Sequence, residues 1–316
     1  MQGLELCRSY FREYGLPMLQ ENFPELLPLC DVALIGSGSE CFGYDDEVSQ
    51  DHDFEPGFQI FLPGEDVVDR KTAFALERAY AKLPREYLGF SRTPLSPVGA
   101  DRRGVLRLSE YLQSHLGVPD GNLTPEDFLR LPESYLFEMT RGEIFHEGLG
   151  ELSRVRNALA WMPADVRLCR LSGHLLLCAQ SGQYNFTRCL EHNEYGAAAL
   201  AKDEFCDHAL SCAFLLGRAY RPYYKWCFRA LREVPGKSDL ANRLQTLLCA
   251  ATTPENAFDL YMEMEEVASM LIADLQDQGL SEAICADLEK HAYSVRDHIR
   301  DPQWRNRNIL FAVQSR

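Results

Sequence analysis

Residues 35–53, IGSGSECFGYDDEVSQDHD, decide how the rest of the chain is interpreted. They overlap the short apolar run 31–36, DVALIG, which is typical of a buried strand that ends in glycine. A loop rich in glycine, serine and aspartate comes next, and the run 52–62 predicts a second strand. Because side chains alternate along a strand, we expect Asp51 and Asp53 to lie on the same face.

These residue types, in this order, predict a metal–triphosphate site. Two carboxylates about 7 Å apart along a strand can converge on one or two hard cations, so Asp51 and Asp53 are the expected metal ligands. Gly36 lets the backbone approach a ligand closely, and Ser37 offers an N–H and a hydroxyl to a phosphate oxygen. A magnesium ion there would neutralise the phosphates and orient the reacting oxygens. Strand alternation points His52 away from the carboxylates, which favours a structural histidine over a catalytic base.

The charge around this stretch is strongly negative. No Lys or Arg occurs between Arg12 and Arg70, whereas residues 40–55 hold seven carboxylates. Residues 1–147 contain 13 Lys and Arg against 26 Asp and Glu. Like charges held close together raise each other's pKa, so a bound divalent cation would supply the charge that the stretch lacks. The alternative is that most of these carboxylates point into water.

The composition excludes several classes of protein. With 46% apolar and 25% charged residues, the chain has the profile of a globular protein. The net charge of −15 disfavours binding to a nucleic-acid backbone, and no apolar run approaches the ~20 residues of a membrane helix. The 11 cysteines show no regular spacing and no secretion signal precedes them, so we expect reduced thiols in a cytoplasmic protein.

Periodicity predicts an α+β architecture in two parts, with a boundary near residues 146–150. Residues 1–147 alternate between strands and helices, and the pattern of residues 148–316 is almost wholly helical. In the first part the predicted strands are 31–36, 52–62, 104–108 and 142–145, and the predicted helices include 5–28, interrupted near Gly15-Leu16-Pro17, and 65–83. In the second part the long predicted helices are 194–217, 254–276 and 281–299.

The second part also contains a window, residues 208–232, that has no acid. It carries five cations at steps of three or four residues, which would place them on one face of a helix. The alternative is that Pro222 lies in the first turn of a new helix, so that the cations span a helix junction. One interpretation is a solvated or acid-pairing surface, and the other is that Arg218 and Lys225 hold a triphosphate. The five cations are Arg218, Arg221, Lys225, Arg229 and Arg232.

The motif resembles that of the nucleotidyltransferase superfamily, which includes the aminoglycoside nucleotidyltransferases. That superfamily is marked by a strand, Gly-Ser, a spacer of about ten residues and Asp-x-Asp on the next strand. Here Gly36-Ser37 and Asp51-His52-Asp53 are separated by thirteen residues. The strings GSGSECFGYDD, GEIFHEGLGEL at 142–152 and YRPYYKW at 220–226 are similar to a nucleotidyltransferase-like bacterial family, domain-of-unknown-function family 4037.

The resemblance implies a fold and an activity. The fold is a nucleotidyltransferase-like α/β domain with a small mixed sheet, followed by an all-α domain. The activity is Mg²⁺-dependent transfer of a nucleoside monophosphate from an NTP, expected to be ATP, to a hydroxyl of a small-molecule acceptor. Gly36, Ser37 and Ser39, together with Arg218 and Lys225, would bind the nucleotide.

One departure from the superfamily pattern concerns the third carboxylate. Active members place an acid on a later strand, but the predicted strand 104–108 carries Arg107 and no acid. Glu110, just beyond that strand, and Glu143, on the next one, are the candidates for the general base. Glu40 and Asp46 in the loop are further candidates.

The same departure motivates two alternative functions. The first is a catalytically degenerate regulatory protein that still binds a nucleotide on the same scaffold. The second is an interaction protein whose helical domain docks a partner, in which the first domain has lost its ligands. Nucleotide binding without turnover would favour the first alternative, and absence of both metal and nucleotide binding would favour the second.

Overall fold

The computed structural model describes residues 1–47, 54–92 and 103–313. Within these ranges the chain has the predicted α+β fold, with one small mixed sheet, one two-stranded hairpin and many helices. The strands are β1 (Asp31–Leu34), β2 (Gln59–Leu62), β3 (Glu86–Tyr87), β4 (Phe90–Ser91), β5 (Gly104–Arg107) and β6 (Glu143–His146). The helices are α1 (Gly3–Tyr10), α2 (Leu16–Asn22), α3 (Ser39–Phe42), α4 (Arg70–Ala81), α5 (Leu108–Leu116), α6 (Pro125–Arg130), α7 (Glu133–Thr140), α8 (Glu151–Ala158), α9 (Ala164–Cys178), α10 (Phe186–Glu191), α11 (Tyr195–Leu216), α12 (Cys227–Glu233), α13 (Ser238–Cys249), α14 (Ala257–Asp277), α15 (Leu288–Asp297) and α16 (Pro302–Arg305).

The chain separates into two compact units. The first unit comprises Met1–Thr124 and Tyr135–Ala160, and the second comprises Pro125–Ser134 and Trp161–Arg316. The first unit holds the sheet, and the second is helical. The division into domains at 147/148 stays a prediction.

The four-stranded sheet of the first unit has the order β5-β2-β1-β6. Strand β1 pairs antiparallel with both β2 and β6, whereas β2 pairs parallel with β5. A parallel pair needs a crossover connection, and α4 lies within the connection between β2 and β5. All residues of β1 and β2 are buried, as the apolar composition of these two central strands predicts.

The N-terminal helix is continuous, so the predicted interruption near residues 15–17 is wrong. Residues 11–15 form a π-helical segment between α1 and α2, and the chain stays helical through it. Pro17 lies in the first turn of α2, where its missing N–H costs little. Gly15 is needed because any side chain at this position would collide with the ring of Phe58 in the core.

Strand β2 is shorter than the run 52–62 predicts, because it begins at Gln59 and residues 54–58 are not in a strand. Just before it, the hydroxyl of Tyr80 accepts from the N–H of Phe58 at 3.1 Å and donates to its carbonyl at 2.8 Å. The hydroxyl of Tyr80 thus satisfies the N–H of Phe58, whose carbonyl also accepts the N–H of Gly104 on β5 at 2.9 Å. Residues 48–53, including Asp51, His52 and Asp53, lie outside the described part of the chain.

A buried carboxylate ties the end of the first unit to its sheet. Asp31, the first residue of β1, is only 4% exposed and accepts three backbone N–H groups. Its donors are Gly148 at 2.9 Å, Gly150 at 3.1 Å and Leu152 at 2.9 Å. Because Leu152 belongs to the first turn of α8, Asp31 also caps that helix from a distant part of the sequence.

The second unit contains the long predicted helices. Helices α11 and α14 confirm the predictions over 194–217 and 254–276, and α15 occupies only part of 281–299. The described helices are too short or too polar to cross a membrane.

The five cations of 218–232 do not share one helix face but span a helix junction, which is the alternative that Pro222 suggests. Helix α11 ends at Leu216, and Arg218 adopts a left-handed backbone with φ of 52°. Pro222 disfavours a helical conformation in the residue before it, so helix resumes only with the turn Tyr224–Trp226 and α12. Arg229 and Arg232 lie on α12, whereas the other three cations precede it.

Candidate functional site

A cavity of about 620 Å³ opens in the first unit where β1 ends. Its walls come from the chain that follows β1, from β5 and α5, and from single residues of β2 and α4. The glycines and polar or charged residues that line it are Gly36, Ser37, Gly38, Glu40, Gln59, Glu77, Arg103, Arg107, Glu110, Tyr111, Ser114 and His115.

The side chain of Gln59 fixes the backbone at the start of this turn. Gln59 is 2% exposed, and its amide oxygen accepts the N–H of Ile35 at 2.9 Å. Its amide nitrogen donates to the carbonyl of Ile35 at 2.8 Å. The glutamine therefore takes the place of a strand partner for Ile35, and it sets the point at which the chain leaves the sheet.

The turn itself needs glycine. Gly36 has a φ of 125°, a conformation that other residues rarely adopt, and a Cβ on it would lie 3.8 Å from the hydroxyl oxygen of Tyr111. Ser37 is exposed on the cavity wall. Any side chain at Gly38 would collide with the carboxylate of Glu40. The predicted residues Gly36 and Ser37 thus both line one cavity, whereas Ser39, at the start of α3, is not part of its lining.

A buried ion cluster lies behind the turn. The guanidinium of Arg103 contacts the carboxylates of Glu40 at 3.2 Å and Glu55 at 3.1 Å, and Arg103 is only 7% exposed. Gly57 allows this approach, because a Cβ on it would lie 2.5 Å from Cδ of Arg103. Glu40 is therefore engaged in a buried ion pair, which makes it poorly suited to act as a base.

The two predicted bases occupy different surroundings. Glu110 lies in the first turn of α5, is exposed and lines the cavity. Glu143 lies on β6, outside the lining, and both its oxygens accept from the guanidinium of Arg8, which donates through Nε at 2.7 Å and through a second nitrogen. Glu77 on α4 is a further exposed acid in the lining, which the sequence analysis did not identify.

Arg107 occupies the strand position where an acid is expected. It lines the cavity at the end of β5, and its guanidinium donates to the carbonyl oxygens of Pro63 at 2.6 Å and Val68 at 2.7 Å. These two bonds tie β5 to the loop that follows β2. The arginine therefore stabilises the wall of the cavity through backbone groups.

Tyr111 carries a buried hydroxyl that has no hydrogen-bond partner among the described residues. Its ring packs on His115 with 4.1 Å between the ring centres and contacts Phe61 edge-on. Burial raises the pKa of the phenol, so the hydroxyl is neutral and can donate. An unpaired buried hydroxyl is costly, and Tyr111 is therefore a candidate for contact with a ligand oxygen at the turn.

The remaining site predictions are not brought together by the described residues. The predicted magnesium ligands Asp51 and Asp53 lie outside them, and the described part of the chain has no group of three or more His, Cys, Asp or Glu placed to hold a metal. Arg218 and Lys225 belong to the second unit, where both are exposed and the ammonium of Lys225 lies 4.9 Å from the ring centre of Trp226. Their role in binding the nucleotide stays a prediction.

The second unit has a cavity of its own, of about 1220 Å³, lined mainly by polar faces of α9 and α11. Two ion pairs form part of its wall. Arg170 contacts Glu133 at 3.0 Å and Arg221 contacts Asp207 at 2.5 Å. Because Glu133 also accepts the backbone N–H of Arg221 at 3.0 Å, the two pairs form one connected network.

Two histidines complete that wall. The Nδ1 atoms of His174 and His208 lie 3.0 Å apart, so one ring donates and the other accepts. Burial, with the nearby charges of His208, Arg221 and Arg170, holds the pKa of His174 well below its usual range. His174 is therefore neutral near pH 7.

Comparison with known proteins gives a match to one family model over part of the chain. Residues 128–227 match the model of a family described as a domain of unknown function (DUF4037). No curated protein and no solved structure matches the chain. The matched segment includes sixteen of the nineteen residues that line the cavity of about 1220 Å³, all but Leu310, Ala312 and Val313.

The unpaired hydroxyl of Tyr111 predicts an unusual mutational effect. We expect Tyr111→Phe to raise the free energy of unfolding by about 1 kcal/mol, because the variant keeps the ring and removes a buried group that has no partner in the described part of the chain. Urea denaturation measures this change. The matched control is Tyr80→Phe, which removes both hydrogen bonds to Phe58 and should lower the free energy of unfolding by about 1 to 3 kcal/mol. Destabilisation by Tyr111→Phe would mean that the hydroxyl has a partner in the free protein.

The histidine pair predicts a loss of stability in mild acid. The pKa of His174 is lower in the folded chain than in the unfolded chain, where it is about 6.5. The unfolded state therefore binds more protons as the pH falls below that value, so this contribution to stability is complete above about pH 6.5 and decreases below it. We expect the urea midpoint of the wild type to fall more steeply between about pH 6.5 and 5 than that of His174→Gln. Parallel curves for the two proteins would contradict the assignment.

Proposed function

We propose that the chain is a Mg²⁺-dependent nucleotidyltransferase and that the cavity at the end of β1 binds the triphosphate of an NTP, with ATP as the expected nucleotide. One observation carries the proposal. The Gly36-Ser37 turn, positioned by Gln59, lines a cavity whose lining also includes Tyr111, and the buried hydroxyl of Tyr111 has no hydrogen-bond partner among the described residues. Backbone N–H groups and hydroxyls are the donors that hold phosphate oxygens.

The residues of this site have distinct roles in the proposed reaction. Ser37 and Tyr111 would donate hydrogen bonds to phosphate oxygens, and Asp51 and Asp53 would be the ligands of a magnesium ion. That ion would neutralise charge on the triphosphate. The hydroxyl oxygen of the acceptor forms a new bond to the α-phosphorus of the nucleotide, and the bond from the α-phosphorus to the leaving pyrophosphate breaks. Glu110 would accept the proton of the acceptor hydroxyl, because it is the predicted base that lines the cavity.

The acceptor is proposed to be a small molecule. The net charge of the chain is −15, and residues 1–147 contain twice as many acidic as basic residues. Such a chain repels a nucleic-acid backbone, whereas a neutral or cationic small molecule can approach it.

A catalytically degenerate, nucleotide-binding regulatory protein is the second candidate. Arg107 occupies the β5 position where the third acid is expected, and Arg8 engages both oxygens of Glu143. These contacts reduce the number of carboxylates available as a base. Binding of the nucleotide would be retained, because the turn at Gly36 does not depend on either contact.

The experiment measures binding and transfer separately. The full chain is titrated with a fluorescent ATP analogue, with and without Mg²⁺, and is then incubated with α-labelled NTPs and a panel of hydroxyl acceptors. We expect Mg²⁺-dependent binding that weakens at least about tenfold in Asp51→Asn/Asp53→Asn, because two charged ligands of the ion are lost. Transfer of label in the wild type should decrease at least about a hundredfold in the same variant.

Asp66→Asn is the matched control, because Asp66 is an exposed aspartate of the first unit outside the cavity lining. It should behave as the wild type in both assays. Binding without transfer to any acceptor would favour the regulatory protein over the enzyme. Equal nucleotide binding by the wild type and the Asp51/Asp53 variant would overturn the metal assignment, and absence of any binding would overturn both candidates.

A further inference from the structure

The helical unit contains another cavity, of about 810 Å³, whose walls are rich in tyrosine. It lies among the end of α9, the π-helical segment Ala179–Asn185, helix α14 and the beginning of α15. Tyr184 comes from the π-helical segment, Tyr261 from α14 and Tyr293 from α15. Tyr184 and Tyr293 are 55% and 46% exposed, so a ligand that enters the cavity can reach them.

The charged residues of this lining are all acidic. They are Glu265, Asp287 and Glu289, and no Lys or Arg belongs to the described lining. Arg188 lies just outside it, where its guanidinium is 5.3 Å from the ring centre of Tyr184 and donates to the Tyr184 hydroxyl at 2.6 Å. The three carboxylates of the lining favour a positively charged group, whereas the guanidinium of Arg188 already lies against the ring of Tyr184.

One glutamine holds the three walls together without a ligand. The amide nitrogen of Gln183 donates to Glu265 at 3.1 Å and to the carbonyl of Ala286 at 2.8 Å. Its amide oxygen accepts the N–H of Leu288 at 2.9 Å. These bonds join the π-helical segment to α14 and to the first turn of α15, so the cavity is formed before any ligand binds, and little energy is lost in ordering it.

One wall of the cavity belongs to a π-helical segment. A π-helix has a wider turn than an α-helix and occurs often at functional sites. The opposite side of this turn is packed tightly, because any side chain at Gly182 would collide with the ring of Phe205 on α11. Gln183 and Tyr184, the next two residues, both line the cavity.

From this geometry we propose that the cavity binds a small organic cation, with a quaternary ammonium group as the preferred head. The faces of the tyrosine rings contact the methyl groups of such a cation, and Glu265 supplies the balancing negative charge. The three carboxylates repel an anion. A purely apolar ligand would bury their negative charges without supplying a positive charge or a hydrogen bond in return. The proposal concerns the second unit alone and does not depend on nucleotidyl transfer.

The test compares a cation with its neutral isostere. The full chain is titrated with choline and, separately, with 3,3-dimethylbutan-1-ol, which has the same shape and no charge, and binding is followed by calorimetry and by ligand-observed NMR. We expect saturable binding of choline and weaker or undetectable binding of the alcohol. A third titration uses spermidine, whose nitrogens carry no methyl groups. It distinguishes a preference for a methylated nitrogen from a preference for any amine.

The variants identify the cavity. Glu265→Gln keeps an acceptor for Gln183 and removes the charge, and Tyr293→Leu removes one ring. Each should raise the dissociation constant for choline between about twofold and thirtyfold, the range expected for losing one cation–π or ionic contact. The matched control is Glu266→Gln, an exposed neighbour on α14 outside the lining, which should bind choline as the wild type does.

Thermal unfolding of each variant shows whether it is folded. Tyr293 is chosen for substitution because its side chain is half-exposed, so that its loss should disturb the core little. Equal affinity for choline and the alcohol would overturn the proposal. Choline binding that is equally strong in Glu265→Gln and Glu266→Gln would also overturn it. So would the absence of saturable binding at choline concentrations up to about 50 mM, because a ligand of this size in a matching cavity should bind more tightly than that.

Discussion

The two hydrogen bonds between the side chain of Gln59 and the backbone of Ile35 are the constraint on which the first unit depends. They satisfy the backbone N–H and carbonyl of Ile35, the residue after β1, so the chain can leave the sheet at Gly36 without leaving these two buried groups unpaired. Gly36 then turns with a positive φ that only glycine adopts readily. Because Gly36 has no side chain, the backbone itself forms part of the wall of the cavity beside this turn.

Buried charge shapes the surroundings of the cavities in both units. Arg103 lies between Glu40 and Glu55 behind the turn, and Arg170 lies against Glu133 in the helical unit. Ion pairs of this kind contribute little net stability relative to apolar packing, but removal of one partner leaves a buried charge and costs several kcal/mol, on the order of 3 to 5. They therefore hold the walls in one arrangement, which suits cavities that have to be ready for a ligand.

Much of the fold could be predicted from periodicity and composition. The strand β1, the helix α4 and the long helices α11 and α14 of the second unit follow directly from local patterns. The failures have local physical causes. The helix through residues 11–17 continues because a π-helical segment and a first-turn proline accommodate it, and the cation strip of 218–232 is broken because proline and a left-handed residue interrupt the helix.

The candidate site was less predictable, because its decisive contacts are distant in sequence. Gly36, Ser37 and Glu110 were identified from the motif and its surroundings, and the structure places all three in one cavity. Gln59 carried a usable signal, since a glutamine inside an apolar strand has to find buried partners. Arg103 and Tyr111 carried none. Arg103 matters because it contacts Glu40, more than sixty residues away in the sequence, and Tyr111 matters because its hydroxyl has no hydrogen-bond partner among the described residues. No local sequence pattern encodes either feature.

The central claim, that the turn after β1 binds the phosphates of a nucleotide, is tested most directly by hydrogen exchange of the full chain followed by mass spectrometry. Addition of saturating Mg²⁺ and a non-hydrolysable ATP analogue should slow the exchange of backbone amides in residues 35–41 and 103–115, which hold most of the lining of that cavity. Exchange in β6 and α8 should be unchanged, because neither element contributes to the lining. Identical exchange of residues 35–41 with and without the nucleotide would contradict the account.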